Sequence, residues 1–200
     1  MTGNESVRAR SLEPIHRLFN NKTARRALTR LRAPLAILGA IAACMLAKPE
    51  WFWLGLVISA IGALLQVWCF SAISKQRELA IHGPYKFVRN PMYLARFVLI
   101  LGFVVVLGRP WLIPLYAVVY YFYAVNRVKR EERKLTVVFG EPYADYMSRV
   151  HRFLPVWSHP SGRLLYGRID LLLHNNGHWN LLGVAGFYAL CYAVLYAPWR

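Results

Sequence analysis

Long apolar runs separated by short polar connections dominate the chain. Five of them lie at residues 33–47, 51–73, 92–107, 111–125 and 179–199. A helix needs about 20 apolar residues to cross ~30 Å of hydrocarbon, and the first run is the shortest of the five. Because backbone polar groups in lipid must be satisfied within their own segment, such runs form helices. The pattern therefore predicts an all-α integral membrane protein with about five transmembrane helices.

The third and fourth runs are joined only by Gly108-Arg109-Pro110. So short a connection predicts a tight helical hairpin, whose two open ends meet on the same side of the membrane. Residues near 89 and residues near 130 should therefore face each other, although about 40 positions separate them in the sequence.

Positive charge is concentrated on the same side of this predicted arrangement. The chain has 25 Lys and Arg against nine Asp and Glu, a formal net charge of +16. Eight of the basic residues lie in 1–32, four in 74–90 and nine in 127–178, all on one side. The positive-inside rule makes that side cytoplasmic. Attraction to anionic lipid head groups accounts for such a belt, and we do not expect a nucleic-acid partner.

The runs and connections divide the chain into four segments. Residues 1–32 are a basic, amphipathic cytoplasmic leader, in which 17–32 has the spacing of a membrane-surface helix or belongs to a solvated arm. Residues 33–73 form a transmembrane hairpin, residues 74–155 a core, and residues 156–200 a C-terminal extension with the fifth helix. The three cysteines lie inside predicted spans, and we assign them no chemistry.

The first polar cluster lies just before the third run. Pro91 suits the first turn of a helix, and Asn90 before it is a candidate N-cap. With Arg89 beside them, the free N–H groups of this helix start could bind a carboxylate or a phosphate. Tyr85 and Tyr93 offer rings for stacking and hydroxyls for hydrogen bonding. The alternative is a basic, aromatic turn of the kind common at membrane interfaces.

The second polar cluster follows the fourth run. Arg127 and Glu131 stand at positions i and i+4, on one face of a helix that continues the span. Glu131 and Glu132 form an acidic pair within a strongly basic stretch. A carboxylate here could hold a ribose diol or balance a cationic ligand. The alternative is an ordinary surface ion pair.

Taken together, the two clusters resemble the isoprenylcysteine carboxyl methyltransferase and phospholipid methyltransferase superfamily over residues 75–155. The resemblance rests on Gly-Pro-Tyr-Lys-Phe-Val-Arg-Asn-Pro-Met-Tyr at 83–93, a helical hairpin, and Glu131-Glu132. It continues with Phe-Gly-Glu-x-Tyr-x-x-Tyr at 139–146 and Val-His-Arg-Phe-Leu-Pro at 150–155. Three positions depart from the family pattern: Asn90 replaces a usual His, Ala95 replaces a Gly, and Arg96 lies inside a span.

The resemblance implies a membrane methyltransferase that uses S-adenosylmethionine in a cytoplasmic pocket around the third and fourth helices. It implies that Arg127 orients the substrate and that Glu131 acts beside it as a catalytic residue. The implied cofactor contacts are Arg77, Glu78, Leu79, Ala80, Tyr85, Arg89, Asn90, Pro91, Met92, Tyr93, Glu131 and Glu132. No metal is implied, and we assign Asp170, His174 and His178 to an ordinary polar loop before the fifth span.

The activity expected from this resemblance is methyl transfer to a membrane-embedded, lipid-like acceptor, with the carboxylate of an isoprenylcysteine as the favoured group. Phosphatidylethanolamine N-methylation is the alternative within the superfamily. Its amine would have to lose a proton before attack, and Arg127 would repel an ammonium group. A third alternative is a non-catalytic membrane protein that retains the cofactor pocket.

Overall fold

A computed structural model of the protein describes residues 21–74, 78–156 and 162–196, and these residues form helices without any β-strand. Seven α-helices are found in them: α1 Lys22–Leu46, α2 Pro49–Ala72, α3 Pro91–Val106, α4 Leu112–Phe139, α5 Glu141–Arg149, α6 Ile169–His174 and α7 Gly177–Tyr196. A short 3₁₀ helix, Gly83–Lys86, precedes α3. The all-helical prediction is confirmed for the described residues.

Two helices, α2 and α7, are long and apolar enough to cross a membrane. The apolar part of α1, Ala33–Leu46, and the whole of α3 are shorter. Helix α4 begins in the predicted fourth span and continues well beyond it into the charged stretch after residue 126. The structure thus supplies a helix for each predicted span, while the five-span topology stays a prediction.

Helix α1 crosses the predicted boundary between the leader and the first span. It runs unbroken from Lys22 to Leu46, with Pro34 in its interior. Its start is capped by Asn21, whose Oδ1 accepts a hydrogen bond from the backbone N–H of Thr23 at 2.9 Å. Ala, Arg and Leu are strong helix formers, which explains why the helix does not stop at residue 32. The rest of the leader, residues 1–20, lies outside the described residues.

Helices α2 and α3 form the most extensive helix pair of the fold. Small residues let their backbones approach closely: a Cβ at Gly102 would lie 2.1 Å from the Ser59 Oγ, and one at Gly62 would lie 2.3 Å from the Leu99 nitrogen. Ser59 Oγ donates to the Leu99 carbonyl at 2.8 Å and is completely buried. This packing of small residues, typical of membrane helices, fixes α3 and hence the residues at its start.

The C-terminal extension returns to the end of α2. The stretch expected to be a polar loop is mostly helical: Asp170 and His174 lie in α6, Asn176 has φ 59°, and α7 begins at Gly177 and contains His178. The buried Asn175 amide donates to the carbonyls of Phe70 and Ile73 at 3.0 and 2.8 Å. These bonds satisfy carbonyls that the end of α2 leaves without a helical partner.

Candidate functional site

The two polar clusters meet at one end of the α3–α4 hairpin. Tyr146 of α5 donates a hydrogen bond of 2.6 Å to the carbonyl of Tyr85 in the 3₁₀ helix. The backbone N–H of Arg89 donates to the His151 carbonyl at 3.0 Å. The chain turns back between α4 and α5 at Gly140, where φ 58° and ψ −131° suit glycine alone among common residues. Segments about 60 residues apart in sequence therefore share one interface.

Glu132 is the centre of a buried ionic group, which we call the Glu132 cluster: Glu132, Arg89, Asn90 and Arg152. The guanidinium of Arg152 donates to both carboxylate oxygens of Glu132, with Nε at 3.1 Å from each. Arg89 Nη2 lies 3.3 Å from Oε1, and Asn90 Nδ2 donates to the same oxygen at 3.4 Å. The hydrogen bond to Glu132 is the main reason that the pKa of Arg152 is raised. The cluster ties the start of α3 to α4 and to the segment after α5.

The side chain of Asn90 corrects one detail of the sequence analysis. Asn90 occupies the N-cap position of α3, and Pro91 follows in the first turn as predicted. However, the Asn90 side chain makes no capping hydrogen bond and reaches across to Glu132 instead. A charge-assisted bond to a buried carboxylate is stronger than a neutral one, which explains why the amide takes this partner.

Tyr93, Arg127 and Glu131 form a second group beside the first, the Tyr93 cluster. Arg127 Nε donates to Glu131 Oε1 at 3.0 Å, the i, i+4 pair expected from the sequence. The Tyr93 hydroxyl interacts with both side chains. Partial burial opposes the charge of Arg127, but the contacts with Tyr93 and Glu131 outweigh it and raise its pKa. The Arg127 and Glu131 side chains remain 52% and 39% exposed, so a ligand can reach them.

Two buried polar atoms at this interface lack a hydrogen-bond partner within the described part of the chain. They are the hydroxyl of Tyr85 and Nε of Arg89. Burial raises the pKa of Tyr85 well above its ordinary value, so its hydroxyl stays neutral. Buried polar groups are nearly always satisfied in native proteins, and an exception needs an explanation. A ligand that supplies a polar atom to the Tyr85 hydroxyl would explain this exception.

The remaining predicted contacts surround these groups. Leu79 packs against the Tyr143–Tyr146 core, while Ala80 and Met92 pack against the core that includes Tyr85. Glu78 is exposed, and Pro91 is buried. Arg77 lies outside the described residues. The structure thus brings Tyr85, Asn90 and Tyr93 to the acidic pair, while the roles predicted for all these residues stay predictions.

The segment that contains these residues matches a known protein family. The phospholipid methyltransferase family model matches residues 50–142. The resemblance to the methyltransferase superfamily that the motifs indicate is thereby confirmed. The matched segment contains α3, α4, all of α2 except Pro49, and every predicted site residue.

Curated relatives give the same result for part of their length. The chain is 32% identical over 82 residues to a protein-S-isoprenylcysteine O-methyltransferase of Tribolium castaneum, covering 41% of this chain and 29% of the beetle protein. It is 27% identical over 122 residues to probable protein-S-isoprenylcysteine O-methyltransferases of the two Oryza sativa subspecies, covering 54% of this chain and 64% of each rice protein. The chain therefore spans less than two thirds of these relatives. No solved structure matches it significantly.

Part of the interface lies beyond the segment that matches the phospholipid methyltransferase family. Arg152 comes ten residues after its end, yet supplies the closest partner of Glu132. The extension adds further contacts: Gly83 N–H donates to the Arg163 carbonyl at 2.9 Å, and Lys86 Nζ to the Gly162 carbonyl at 3.0 Å. None of the three residues Arg152, Gly162 and Arg163 was predicted from the sequence to belong to the site. Arg152 lies in the 150–155 motif, which could have identified it as a site residue. The contacts at 162 and 163 are made by backbone carbonyls, which leave no signal in the sequence.

Proposed function

We propose that the protein is an S-adenosylmethionine-dependent methyltransferase that acts on a membrane-embedded, lipid-like acceptor. The favoured reaction is O-methylation of an isoprenylcysteine-type carboxylate. The observation that carries this proposal is the half-exposed Arg127–Glu131 pair beside Tyr93, within a segment of the phospholipid methyltransferase family. The relatives named isoprenylcysteine O-methyltransferases favour the carboxylate acceptor.

The residues at the interface suit the proposed cofactor. S-adenosylmethionine would supply an electrophilic methyl group on a sulfonium. Glu131 offers a half-exposed carboxylate for a hydroxyl or ammonium group, and the buried Tyr85 hydroxyl has an unused hydrogen-bonding capacity. Asn90 and Tyr93 lie at the start of α3. Glu132, in contrast, is occupied by two guanidinium groups, so we assign it to holding the site together rather than to the cofactor.

A carboxylate acceptor matches what the Tyr93 cluster can do. A carboxylate is already ionised at neutral pH, so no general base has to remove a proton before an oxygen attacks the methyl carbon. The requirements are orientation and exclusion of water. A guanidinium can hold a carboxylate through two parallel hydrogen bonds, and Arg127, like any arginine, is charged at neutral pH. Glu131 and the Tyr93 hydroxyl fix the direction in which Arg127 points.

Phospholipid N-methylation is the second candidate, and the name of the matching family favours it. An amine must lose a proton before attack, and Glu131 is the carboxylate placed to accept it. The charge of Arg127 opposes an ammonium substrate at the same position. The two candidates therefore predict opposite effects of Arg127 on acceptor binding: it would orient a carboxylate and repel an ammonium group.

The test measures transfer of a labelled methyl group by the purified full-length protein in lipid nanodiscs. Prenylcysteine and phosphatidylethanolamine are offered in parallel. We expect labelled prenylcysteine ester, and a loss of about 10- to 100-fold in Arg127→Ala and in Glu131→Ala, the effect of one charge-assisted hydrogen bond. Arg149→Ala is the matched control, because Arg149 forms an exposed i, i+4 pair with Asp145 away from Tyr93.

Three outcomes would contradict the proposal. If phosphatidylethanolamine is labelled and prenylcysteine is not, the methyl acceptor is the amine and not the carboxylate. Full activity of Arg127→Ala and of Glu131→Ala would show that neither residue takes part in the reaction. Absence of both transfer and S-adenosylmethionine binding, measured by calorimetry, would favour a non-catalytic membrane protein.

A further inference from the structure

Arg96 is the charged residue inside the apolar sequence of α3. It lies five residues after Pro91, the first residue of the helix, and its side chain is half-buried. Helical side chains point back toward the N-terminus of their helix. The guanidinium of Arg96 accordingly lies over the ring of Tyr93, with Cζ 5.9 Å from the ring centroid. Arg96 therefore reaches from the apolar region back to the level of the Tyr93 cluster.

Arg96 also differs from several other arginines of the described residues in its partners. Arg89, Arg127, Arg149, Arg152 and Arg168 each form an ion pair. Within 21–74, 78–156 and 162–196 no carboxylate pairs with Arg96, whose guanidinium lies over the Tyr93 ring. A charged side chain inside an apolar helix is costly, and such residues typically mark a functional site.

The neighbours of Arg96 on α3 and α4 are aromatic side chains. Besides lying over the Tyr93 ring, Arg96 interacts electrostatically with Tyr120 of α4. Tyr120 lies 5.3 Å from Phe97, which in turn stacks on Tyr116 with a centroid distance of 5.1 Å. Tyr93 connects Arg96 to the candidate site, because its ring faces Arg96 and its hydroxyl faces Arg127. One tyrosine thus lies between two guanidinium groups, one on the apolar side and one on the exposed side.

We propose that Arg96 is a substrate-binding residue that holds the acidic head group of the methyl acceptor from the apolar side, opposite Arg127. This inference rests on the proposed function and deepens it, because it makes the acceptor an acidic lipid rather than a zwitterionic one. The chain of the acceptor would extend past Arg96 along the aromatic side chains of α3 and α4. Two cations on one head group would favour a carboxylate or phosphate over an ammonium group.

The binding experiment uses the full-length protein in nanodiscs of neutral phosphatidylcholine, with tritiated N-acetyl-S-prenylcysteine as the probe. Its uncharged methyl ester is the matched ligand. We expect Arg96→Leu to weaken binding of the acid about tenfold and to leave ester binding unchanged, with Arg96→Lys between the two. Arg109→Leu is the matched control, because Arg109 is an exposed arginine at the opposite end of the same hairpin.

The kinetic experiment separates binding from chemistry. Arg96→Leu should raise KM for the acid about tenfold with kcat within a factor of two, since Arg127 and Glu131 are intact. Equal weakening of acid and ester, or a loss in kcat alone, would overturn the inference. An effect that appears only when the nanodiscs contain phosphatidylglycerol would assign Arg96 to bulk anionic lipid and would also overturn it.

Failure of the proposed function gives a different result. If the wild-type protein transfers no methyl group but binds the acid through Arg96, the proposed methyl transfer is wrong and the proposed binding site at Arg96 is retained. If it methylates prenylcysteine and Arg96→Leu binds the acid normally, the reaction stands and the Arg96 site is wrong. Thermal unfolding of Arg96→Lys and Arg96→Leu shows whether either variant has lost its fold.

Discussion

Glu132 and its neighbour Glu131 are adjacent acids with opposite structural roles, and replacing each by Ala should separate stability from activity. Glu132 is 7% exposed and faces the guanidinium groups of Arg89 and Arg152. Glu132→Ala would leave two cations at one buried position with no counter-charge. Glu131→Ala removes a half-exposed pair with Arg127, which leaves a solvated arginine behind.

The magnitude follows from this difference in burial. Removing one member of a buried ion pair costs roughly 3–5 kcal/mol, because the partner stays buried without compensation. The Arg152 side chain is 35% exposed and can recover water, while Arg89 is 12% exposed. The lower end, about 3 kcal/mol, is therefore expected for Glu132→Ala. An exposed i, i+4 pair contributes about 0.3–0.5 kcal/mol, the expected cost of Glu131→Ala.

Thermal unfolding in detergent with a thiol-reactive fluorophore measures both variants, because Cys44, Cys69 and Cys191 are all buried and free. At about 2–4 °C per kcal/mol for a chain of this size, Glu132→Ala should lower Tm by about 6–12 °C. Glu131→Ala should lower it by less than about 2 °C. Equal Tm values for the two variants would refute the assignment of Glu132 to a structural role.

A variant that lacks the charges of Arg89, Glu132 and Arg152 is the control for the effect of Glu132→Ala on Tm. Replacing Arg89, Glu132 and Arg152 together by Met, Leu and Met removes the buried cations along with the carboxylate. Apolar replacement of a whole buried ionic group is often neutral or stabilising. We therefore expect the triple variant to unfold at a higher temperature than Glu132→Ala. A lower Tm would mean that Glu132 stabilises the fold through contacts other than its ion pairs.

Two further predictions concern the alkaline limit of stability and helix packing. Burial, together with the charge of Glu132, raises the pKa of Tyr143 to about 12. The folded state therefore keeps a proton that the unfolded state loses near pH 10, so this contribution to stability is full below pH 10 and is lost as the pH rises toward 12. Tyr143→Phe should make the fall in Tm between pH 9 and 12 less steep. A Cβ at Gly102 would come within 2.1 Å of Ser59 Oγ, so Gly102→Ala should cost about 1–3 kcal/mol in thermal unfolding, whereas Gly186→Ala in α7, where nothing lies within 4 Å, should leave Tm unchanged.

Hydrophobic pattern predicted the helices well, because run length and flanking turns are local properties. The run at 51–73 became α2, Pro49–Ala72, and the run at 92–107 became α3, Pro91–Val106. The start of α1 was predicted less well. The boundary between polar and apolar residues falls at 32, but residues with high helix propensity lie on both sides of it, so α1 runs from Lys22 to Leu46 without a break.

The meeting of the two polar clusters was predictable, whereas the detailed pairing was not. A three-residue turn requires the ends of the α3–α4 hairpin to lie together, so Tyr85 and Glu131 were expected on one side. Which acid is buried depends on the rotation of α4 about its axis. One residue turns a helix by 100°, and that difference places Glu132 inside and Glu131 at the surface.

The contrast between Glu131 and Glu132 also explains how the interface can combine a rigid frame with an accessible pair of charges. Arg152 and the buried carboxylate hold the segment after α5 against the start of α3, where Asn90 and Tyr93 stand. That attachment leaves Glu131, the preceding residue of α4, free to face outward beside Arg127. A charge pair that must accept a ligand cannot itself stabilise the fold strongly, because each ligand would have to disrupt it. Division of the two tasks between adjacent acids removes this conflict.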